Sequence, residues 1–539
     1  MPKVPAQTRS KVAPQLGELQ LEVCTQLSQV AGEQWNRLLG PDDAPLLTWE
    51  YLQALEEAGC VGEAVGWLPA HLLLRPRSGP RAGELVAAAP AYVKTHSDGE
   101  WVYDYDWAEF AQQHGLAYYP KLVLAVPFNP VTGGRLLTRP DFPAGERQAL
   151  RAGLLQAAKA LCQRAGFSSA HVLFPRGPGF ADRPLAAPPD QAAAASGPQS
   201  GDDGRSAPGS AAASSAPGEL SPETADMPAA GFMLRRQEQY HFHNDGYRSF
   251  DDFLARLRSH RRAAIKRERR ELAAAGVTVR SHRGLDTADG FSRAELARVF
   301  AMYVGTSHRY TGGPPFLNQR FFNLCAERLG SRLELVLARD RRGEIIGGAW
   351  NLRGDRRLYG RYWGRQLDVE PLPGLDSSLP AGPQDGAAHG LARAASEPPL
   401  ERTEAGIAGA GPVSFLHFEV CYYHAIERCI SEGLSAFEPG HGGDQKLVRG
   451  FTPSYTYSAH YLVDPRLRLP IEAFLNYEAP FVEKSLQAAA LRCNLRQAPP
   501  ASKAPPASKA PPASKAPPAS KAPPASKAPP ASKPPPPKK

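Results

Sequence analysis

Residues 333–364 read LELVLARDRRGEIIGGAWNLRGDRRLYGRYWG, three apolar runs separated by short polar turns. Runs of this length, rich in branched apolar and aromatic residues, are typical of β-strands. We predict strands at 333–339, 344–353 and 357–363, with a tight turn at 340–343. Short turns join antiparallel neighbours, so the segment predicts a three-stranded antiparallel meander.

A second copy of this pattern occurs in the first half of the chain. Strands are predicted at 71–75 and 84–94, followed by an aromatic segment at 101–107. In both halves a helix with a cysteine near its end precedes a glycine and a strand that ends in proline. These elements are helix 145–165 with Cys162, Gly166 and strand 171–175, and helix 415–432 with Cys429, Gly433 and strand 435–439. Glycine directly after a helix is a common stop, and the shared ending predicts that the halves repeat one α/β unit.

The repeat predicts an α/β (α+β) protein of two tandem domains, each a mostly antiparallel mixed sheet flanked by helices. We place the first domain at 15–183 and the second at 231–498. Three further segments are rich in Ala, Pro, Ser or Gly, and we expect disorder there because they offer little apolar surface to bury. They are the acidic insert 184–230, the insert 366–412 within the second domain, and the tail 499–539, which repeats Ala-Pro-Pro-Ala-Ser-Lys.

The net charge of +9 is unevenly distributed. Eight lysines lie in the tail, and each insert carries a net charge of −5. Within the predicted domains, residues 256–271 hold eight Arg or Lys against two Glu. A positive field confined to one segment favours an anionic ligand at a particular place over general binding to a polyanion, and we expect no DNA partner.

The cysteine content and the hydropathy bear on the compartment. Seven cysteines are scattered without a Cys-x-x-Cys pair, which favours free thiols in a reducing compartment. No run of about 18 apolar residues occurs, so we expect no membrane span. The first 14 residues lack the apolar centre of a secretory signal. We expect a cytoplasmic protein, or an organellar (plastid) one if the source is eukaryotic.

A long basic helix is predicted at 249–276. Ser249 is a suitable N-cap, apolar residues from Phe250 to Leu272 recur at helical spacing, and Gly276 ends the pattern. The opposite face is basic. It is either a solvated surface or a contact for the phosphates of tRNA, CoA or a nucleotide-linked precursor.

The stretch GYRSFDDFLARLRSHRRAAIKRERRELAAAGVTVR, residues 246–280, resembles the helix that opens the second domain of FemAB-like proteins, a branch of the GNAT acyltransferase superfamily. Residues 46–74, 102–137, 358–364 and 415–461 resemble the same family. The resemblance spans almost all of the two predicted domains. It implies that both are GNAT-like domains.

The activity that the resemblance implies is acyl transfer to an amine. Some members of the family move an amino acid from aminoacyl-tRNA to a cell-wall precursor, and other GNAT relatives move acetyl from acetyl-CoA to an amine. The expected cosubstrate is therefore acetyl-CoA, another acyl-CoA or aminoacyl-tRNA, with no bound cofactor, and the expected acceptor is a small-molecule or peptide amine. The Gln/Arg-x-x-Gly-x-Gly/Ala loop of acetyl-CoA-dependent GNAT enzymes does not follow Trp363, which weakens the case for acetyl-CoA.

The first candidate site is FEPGHGGDQK, residues 437–446, where a strand is predicted to end in a Gly-rich turn. Amine acylation needs a proton acceptor and donors to an oxyanion. We assign Glu438 as candidate base or substrate anchor, and an exposed Lys446 with Arg449 as candidate contacts for a phosphate or the oxyanion. The positions that match the family's turn are Lys446, Gly450 and Phe451. The alternative is a tight surface turn with incidental charges.

The second candidate site is an aromatic and acidic cluster in the first half. Alternation at strand spacing would let these side chains line a cleft for a polar acceptor. The cluster comprises residues 103–107, where the alternation is seen, with His114, Tyr118, Tyr119 and Lys121. The candidate binding residues among them are Asp104, Trp107, Tyr119 and Lys121. Arg361, Tyr362 and Trp363 hold the corresponding place in the second half, and we predict that they form a wall opposite the Gly-rich loop. The alternative for both groups is packing between the halves.

These observations leave the class of function open. No metal site is expected, because His241 and His243 lack further ligands at a suitable spacing. One hypothesis is an N-acyltransferase, and the second is a non-catalytic protein of the same fold that recognises a cell-wall-like or nucleotide-linked ligand. A third is an RNA-binding adaptor that uses the basic helix, with tRNA as a candidate partner.

Overall fold

The computed structural model describes residues 7–11, 18–177, 220–311, 314–366, 414–443 and 445–493. Most of the two predicted inserts and the whole repetitive tail lie outside these ranges. The described part of the chain belongs to one compact unit. None of its helices is long and apolar enough to cross a lipid bilayer.

Five strands of the second half follow one order. They are β11 (Thr278–Arg283), β12 (Leu333–Arg339), β13 (Ile345–Arg353), β14 (Arg357–Arg365) and β15 (Ala436–Glu438). The first four pair in antiparallel fashion, while β14 and β15 are parallel. The meander predicted over 333–363 is confirmed, with strand ends shifted by at most two residues.

The strands of the first half follow the same order. They are β2 (Glu18–Cys24), β4 (His71–Pro76), β5 (Ala87–Ala89) with β6 (Ala91–Lys94), β7 (Lys121–Leu124) and β9 (Ser169–Leu173). Pairing is antiparallel until β7 and β9, which are parallel. The strand predicted at 84–94 is interrupted at Pro90, which has no N–H to donate to a ladder, and its two parts join different sheets.

The strand that follows each unit in the sequence pairs with a strand of the other half. β10 (Met233–His243) follows the first unit but pairs with β15, and β16 (Thr452–Leu462) follows the second unit but pairs with β9. β10 and β16 also pair with each other over nine positions. Within the described residues this exchange produces one sheet of eleven strands, from β11 at one edge to β3 (Trp67–Pro69) at the other. A second sheet has five strands in the order β1 (Gln7–Lys11), β2, β4, β5 and β8 (Leu137–Thr138).

Helices cover both faces of the sheets. Those of the first half are α1 (Gly32–Asn36), α2 (Trp49–Glu57), α3 (Tyr105–Gln113), α4 (Ala144–Ala165) and α5 (Pro222–Ala229). Those of the second half are α6 (Phe250–Arg256), α7 (Ser259–Ala274), α8 (Arg293–Thr311), α9 (Gln319–Leu329), α10 (Leu416–Phe418), which continues as a π-helical turn (Glu419–Tyr423), α11 (His424–Ser431) and α12 (Pro465–Arg492). α2 packs against α9, with the rings of Tyr51 and Phe321 5.3 Å apart, so the core is continuous across the halves.

The predicted basic helix is two helices. Ser249 caps α6 as expected, accepting a hydrogen bond from the Asp252 N–H. Leu257 then adopts an extended conformation and is fully buried, which separates α6 from α7. The sequence has no Gly or Pro here, so burial of Leu257 in the core, and not backbone propensity, ends α6.

The acidic insert predicted to be disordered over 184–230 ends earlier than expected. Its last residues form α5, which begins at an N-cap serine, Ser221, and buries Met227. The Glu223 carboxylate accepts hydrogen bonds from the backbone N–H groups of Arg135 and Leu136. Composition did not reveal this helix, because few of its residues are apolar and its contacts are distant in sequence. Residues 184–219, 367–412 and 499–539 lie outside the described part, and their predicted disorder and the domain limits stay predictions.

Candidate functional site

In the second half β14 and β15 pair in parallel over three positions and then part, and we call the place where they part the opening. Among the described residues, their parallel pairing ends at Tyr359 and Glu438, while β14 continues to Arg365 in pairing with β13. Beyond Tyr359, the N–H and C=O groups of β14 therefore form no ladder with β15. A strand edge of this kind can bind a ligand through backbone hydrogen bonds.

Helix α8 closes one side of β14 by direct contact with its backbone. A Cβ placed on Gly364 would lie 2.3 Å from the backbone carbonyl of Met302, and one on the paired residue Gly348 would lie 2.8 Å from Val299. The two glycines thus permit the helix to lie against the sheet. This contact fixes the wall of the opening.

Arg361 occupies a β-bulge at the start of the opening. Trp350 pairs with Tyr362 and Asn351 pairs with Gly360, which leaves Arg361 as the extra residue. Bulges re-aim a side chain relative to the regular strand. The Arg361 guanidinium lies across from the Gly-rich loop, 3.9 Å from the Cβ that Gly440 would carry, and reaches to 3.5 Å from the Phe128 carbonyl of the first half.

Glu438 lies at the base of the opening and joins the halves. One carboxylate oxygen accepts from the Thr132 hydroxyl at 2.8 Å and the other from the Thr132 N–H at 3.2 Å. Arg357 and His241 lie 3.7 and 3.9 Å away. Burial raises the pKa of Glu438, while Arg357 and the Thr132 hydrogen bonds oppose that rise. The carboxylate is therefore a fixed group whose proton affinity exceeds that of an exposed glutamate.

Thr132 is held in place by its own loop. Arg135, almost fully buried, donates to the carbonyl oxygens of Val131 and Leu173 at 2.6 and 2.8 Å. The Asn129 side chain accepts from the Val131 N–H. The contact of Glu438 with the first half thus rests on a rigid segment, and sequence reasoning did not identify Thr132.

Lys446 is buried, contrary to the prediction that it is exposed. Its side chain is 2% exposed, and its ammonium donates to the carbonyl oxygens of Gly440 and His441 at 2.8 and 3.0 Å. Gly440, Gly442 and Gly443 have positive φ, and this backbone turns its carbonyls inward toward the lysine. The Lys446 ammonium therefore stabilises the conformation of the Gly-rich loop.

Arg449 is also buried, on the far side of the same loop. Its guanidinium lies 3.2 Å above the Phe418 ring and donates to the Tyr423 hydroxyl at 2.8 Å. Glu268 of α7 lies 3.5 Å away and accepts from the same hydroxyl at 2.5 Å. Arg449 therefore ties the loop to α7 and to the π-helical turn.

Tyr362 and Trp363 do not form a single wall with Arg361. The Tyr362 ring packs among Tyr303, Phe322 and Trp350 at 5.0 to 5.9 Å. Trp363 is on the opposite face of the strand, with its ring 4.8 Å from that of His417. Alternation along a strand sends Tyr362 and Trp363 to opposite faces, while the bulge brings the Arg361 guanidinium to 5.3 Å from the centre of the Tyr362 ring. Arg361 and Tyr362 therefore meet, and Trp363 lies apart from them.

The first-half cluster is a buried ion network. The Lys121 ammonium lies 2.5 Å from Asp104 and 2.9 Å from Glu100, and it donates to Ser97 at 2.8 Å. Burial alone would lower the pKa of Lys121, but the charges of Asp104 and Glu100 outweigh it and raise that pKa. Tyr119 joins through its hydroxyl, 2.8 Å from Ser97.

The strand-like alternation predicted for residues 103–107 is wrong. Asp104 precedes α3, and Trp107 lies inside that helix. The Trp107 ring packs 4.8 Å from His460 and beneath the Arg235 guanidinium. Aromatic residues alone do not distinguish a strand from a short helix, and here the helix places Trp107 in the core.

Two members of the network, Lys94 and Glu100, were missed from the sequence. Burial lowers the pKa of Lys94 to about 7 and raises the pKa of Glu100 to about 8. Lys94 and Lys121 face each other at the ends of β6 and β7. Two lysines that face each other across paired strands repel each other and need acids nearby. A search for acids in the segment between the two strands could therefore have identified Glu100.

The loops of the two candidate sites meet. His441, in the Gly-rich loop, lies with its ring 5.7 Å from Trp101 and 6.0 Å from Tyr103. Arg235 donates to the Tyr103 carbonyl at 2.7 Å. The loop that covers the Lys121 network thus contacts the loop that follows Glu438, and the structure brings both predicted sites to one junction.

Helix α7 borders a separate groove of about 950 Å³. Of its cations, Arg269 is held by Glu419 and Glu427 at 2.9 and 2.7 Å, and Lys266 by Asp251 at 2.8 Å. Acids therefore offset part of the basic charge. Among the described residues there is no group of three or more His, Cys, Asp or Glu side chains arranged to hold a metal ion.

In each half of this mixed α/β fold, antiparallel strands are followed by a parallel pair. The chain belongs to the FemAB-like family: the family model, described as peptidoglycan biosynthesis/recognition, matches residues 26–181, 220–373 and 409–497. No curated protein sequence is significantly similar to this chain.

Several solved structures are similar in fold. The crystal structure of FemX is 11% identical, with 82% of this chain and 98% of that chain covered and a TM-score of 0.42. L-PGS from Bacillus licheniformis is 9% identical, with 83% and 98% covered and a TM-score of 0.35. A probable N-acyltransferase from Enterococcus faecalis V583 is 9% identical, with 84% and 74% covered and a TM-score of 0.27.

Proposed function

We propose that the protein is an N-acyltransferase that moves an acyl or aminoacyl group from an activated donor to an amine, with the reaction centred where β14 and β15 part. The observation that carries this proposal is the position of Glu438 where the pairing of β14 and β15 ends, two residues before Gly440, which lies beside Arg361. A carboxylate of raised pKa can accept the proton of the amine, and N–H groups of a strand can stabilise the oxyanion.

The proposed reaction forms an amide and releases the leaving group of the donor. The amine nitrogen attacks the acyl carbonyl carbon, and its proton passes to the Glu438 carboxylate. The oxygen that gains charge is stabilised by backbone N–H groups of β14 beyond its pairing with β15. The carbon–oxygen bond of an aminoacyl-tRNA ester, or the carbon–sulfur bond of an acyl-CoA thioester, then breaks, and the leaving group takes up a proton.

Arg361 is the proposed contact for the phosphates of the donor, since a guanidinium recognises phosphate through paired hydrogen bonds. Lys446 and Arg449 are proposed as positioning residues, because both are buried and bind the loop itself. The proposed acceptor is the amine of a peptidoglycan precursor peptide, in line with the family description. A free small-molecule amine is the simpler acceptor to test beside it.

One observation favours a second candidate function. Glu438 is 3% exposed, and both of its oxygens already accept from Thr132. A carboxylate so occupied suits an anchor between the halves, in a protein that recognises a cell-wall-like or nucleotide-linked ligand without reacting with it.

Activity assays with Glu438→Gln and Arg361→Ala separate the two functions. Purified protein is incubated with aminoacyl-tRNA or acetyl-CoA and a peptidoglycan precursor peptide, and amide formation is followed by mass spectrometry. We expect Glu438→Gln to lower kcat at least tenfold and Arg361→Ala to raise the KM for the donor. Arg342→Ala, on an exposed turn, is the control. Precursor binding without amide formation in the unmodified protein would favour the recognition function.

A further inference from the structure

An exposed apolar stripe runs along the C-terminal helix α12. Leu469, Tyr477 and Phe481 are 58%, 67% and 54% exposed, and Ala473 between them is exposed as well. These residues recur every four positions, so they lie on one face of the helix. The rings of Tyr477 and Phe481 are 4.9 Å apart.

This stripe is unusual within the described part of the chain. Nine large apolar side chains are exposed among the described residues, and six of them fall between Val463 and Leu491. Three of these six, Leu469, Tyr477 and Phe481, belong to the stripe. Exposed apolar side chains grouped on one face of a helix are typical of a binding surface. We therefore expect the stripe to bind a partner.

The opposite face of α12 anchors the helix to both halves. Leu467, Ile471 and Leu475 are buried beside Trp107, and Ala489 is buried in the core of the second half. Two of the three acids of the helix are directed inward: Glu478 accepts from Arg235 at 2.7 and 2.8 Å, and Glu483 accepts from the Tyr455 hydroxyl. The stripe thus faces outward on a fixed helix.

Positive charge accompanies the stripe. The helix contains Arg466, Arg468, Lys484 and Arg492, and residues 494–539 add one arginine and eight lysines without any acid. Apolar insertion and a polybasic segment are the two signals that together hold a protein on an anionic bilayer. Association of two copies through the stripe would instead bring two lysine-rich tails together.

We propose that α12 lies on an anionic lipid membrane surface, with Leu469, Ala473, Tyr477 and Phe481 inserted among the headgroups, and that the positive charge of the helix and of the sequence after it strengthens the attraction to the lipid charges. This surface docking goes beyond the proposed acyl transfer and does not depend on it. The association is peripheral, since the opposite face of the helix is buried in the protein.

The test is flotation of the full chain with vesicles of phosphatidylcholine alone or with added phosphatidylglycerol. We expect binding to the anionic vesicles that weakens with salt. Tyr477→Ser/Phe481→Ser should lower the partition coefficient about tenfold or more, and replacement of the eight tail lysines by glutamine should lower it further. Arg342→Ser, on an exposed turn away from the stripe, is the control, and circular dichroism confirms that each variant is folded.

Other outcomes would overturn the proposal. One is an unmodified protein that does not float with anionic vesicles. A second is binding that depends on the tail lysines but not on Tyr477 and Phe481, which would show that the stripe does not contribute to lipid binding. The last two are a monomer–dimer equilibrium abolished by the double variant in a chain that does not bind vesicles, and RNA binding in place of vesicle binding.

Discussion

Cys162 and Cys429 make the same contact in the two halves of the molecule. Each thiol lies near the end of a helix and is directed at the carbonyl oxygen of the residue seven positions later, Ser169 at 3.2 Å and Ala436 at 3.8 Å. Both thiols are fully buried. A small polarisable side chain suits the close approach of a helix to the strand that returns beneath it, and this accounts for the cysteine in the repeated pattern.

Thiol labelling should distinguish these two buried cysteines from the half-buried Cys493. Burial raises the pKa of both thiols, which removes the reactive thiolate. We expect Cys162 and Cys429 to react with iodoacetamide only after unfolding, and half-buried Cys493 to react first. Peptide mass spectrometry after timed labelling measures the order. Early labelling of Cys162 in the folded protein would contradict the assigned packing.

Gly364→Ala should be strongly destabilising. The new methyl group would meet the backbone of Met302, which cannot rotate away, so α8 must move off the sheet. We expect a loss of roughly 1–3 kcal/mol in the free energy of unfolding, measured by urea denaturation. Gly145→Ala is the matched control, since nothing lies near its Cβ and its φ is negative. Equal stability of the two variants would refute the close helix–strand contact.

Lys446→Met should destabilise the Gly-rich loop. Methionine keeps the length of the side chain but removes the hydrogen bonds to the Gly440 and His441 carbonyls. Loss of charged hydrogen bonds at a buried site costs about 1–3 kcal/mol. Lys484→Met, an exposed position on α12, is the control. Thermal denaturation of both variants measures the difference. An unchanged melting temperature for Lys446→Met would instead support the exposed lysine that the sequence predicted.

Glu100 should give the protein a pH-dependent loss of stability. Burial raises its pKa from 4.5 to about 8. Between these values the folded state keeps a proton that the unfolded state has released, so stability falls as the pH rises through this window. Relative to Glu100→Gln, the wild type should lose up to about 1.4 kcal/mol per pH unit.

The measurement compares free energies of unfolding at pH 5, 6 and 7. Lys94 acts in the opposite sense but at higher pH: its pKa is lowered to about 7, so its contribution grows only as the pH rises above that value. Lys121 and Asp104 also face Glu100, and both stay charged in this range because their pKa values move away from it. Glu109→Gln, at an exposed site on α3, is the control variant. A difference between the wild type and Glu100→Gln that stays constant from pH 5 to 7 would disprove the buried titration.

The sequence by itself determined the antiparallel meander of the second half and, to within one or two residues, the ends of the repeated helices. Periodicity, short turns and glycines such as Gly166 are local signals, and they specify local elements. Ser249 as a helix cap and the basic content of the following segment were predictable for the same reason. The resemblance of several stretches to one family likewise needed no coordinates.

Only the tertiary structure decided which residues meet. The exchange of β10 and β16 between the halves, the contact of Thr132 with Glu438 and the network of Lys94, Glu100 and Lys121 all join residues far apart in sequence or in connecting loops. The burial of Lys446 and the break at Leu257 likewise follow from packing that overrides local propensity. Hydrophobic burial and long-range charge pairing depend on the whole fold, and no local pattern encodes them.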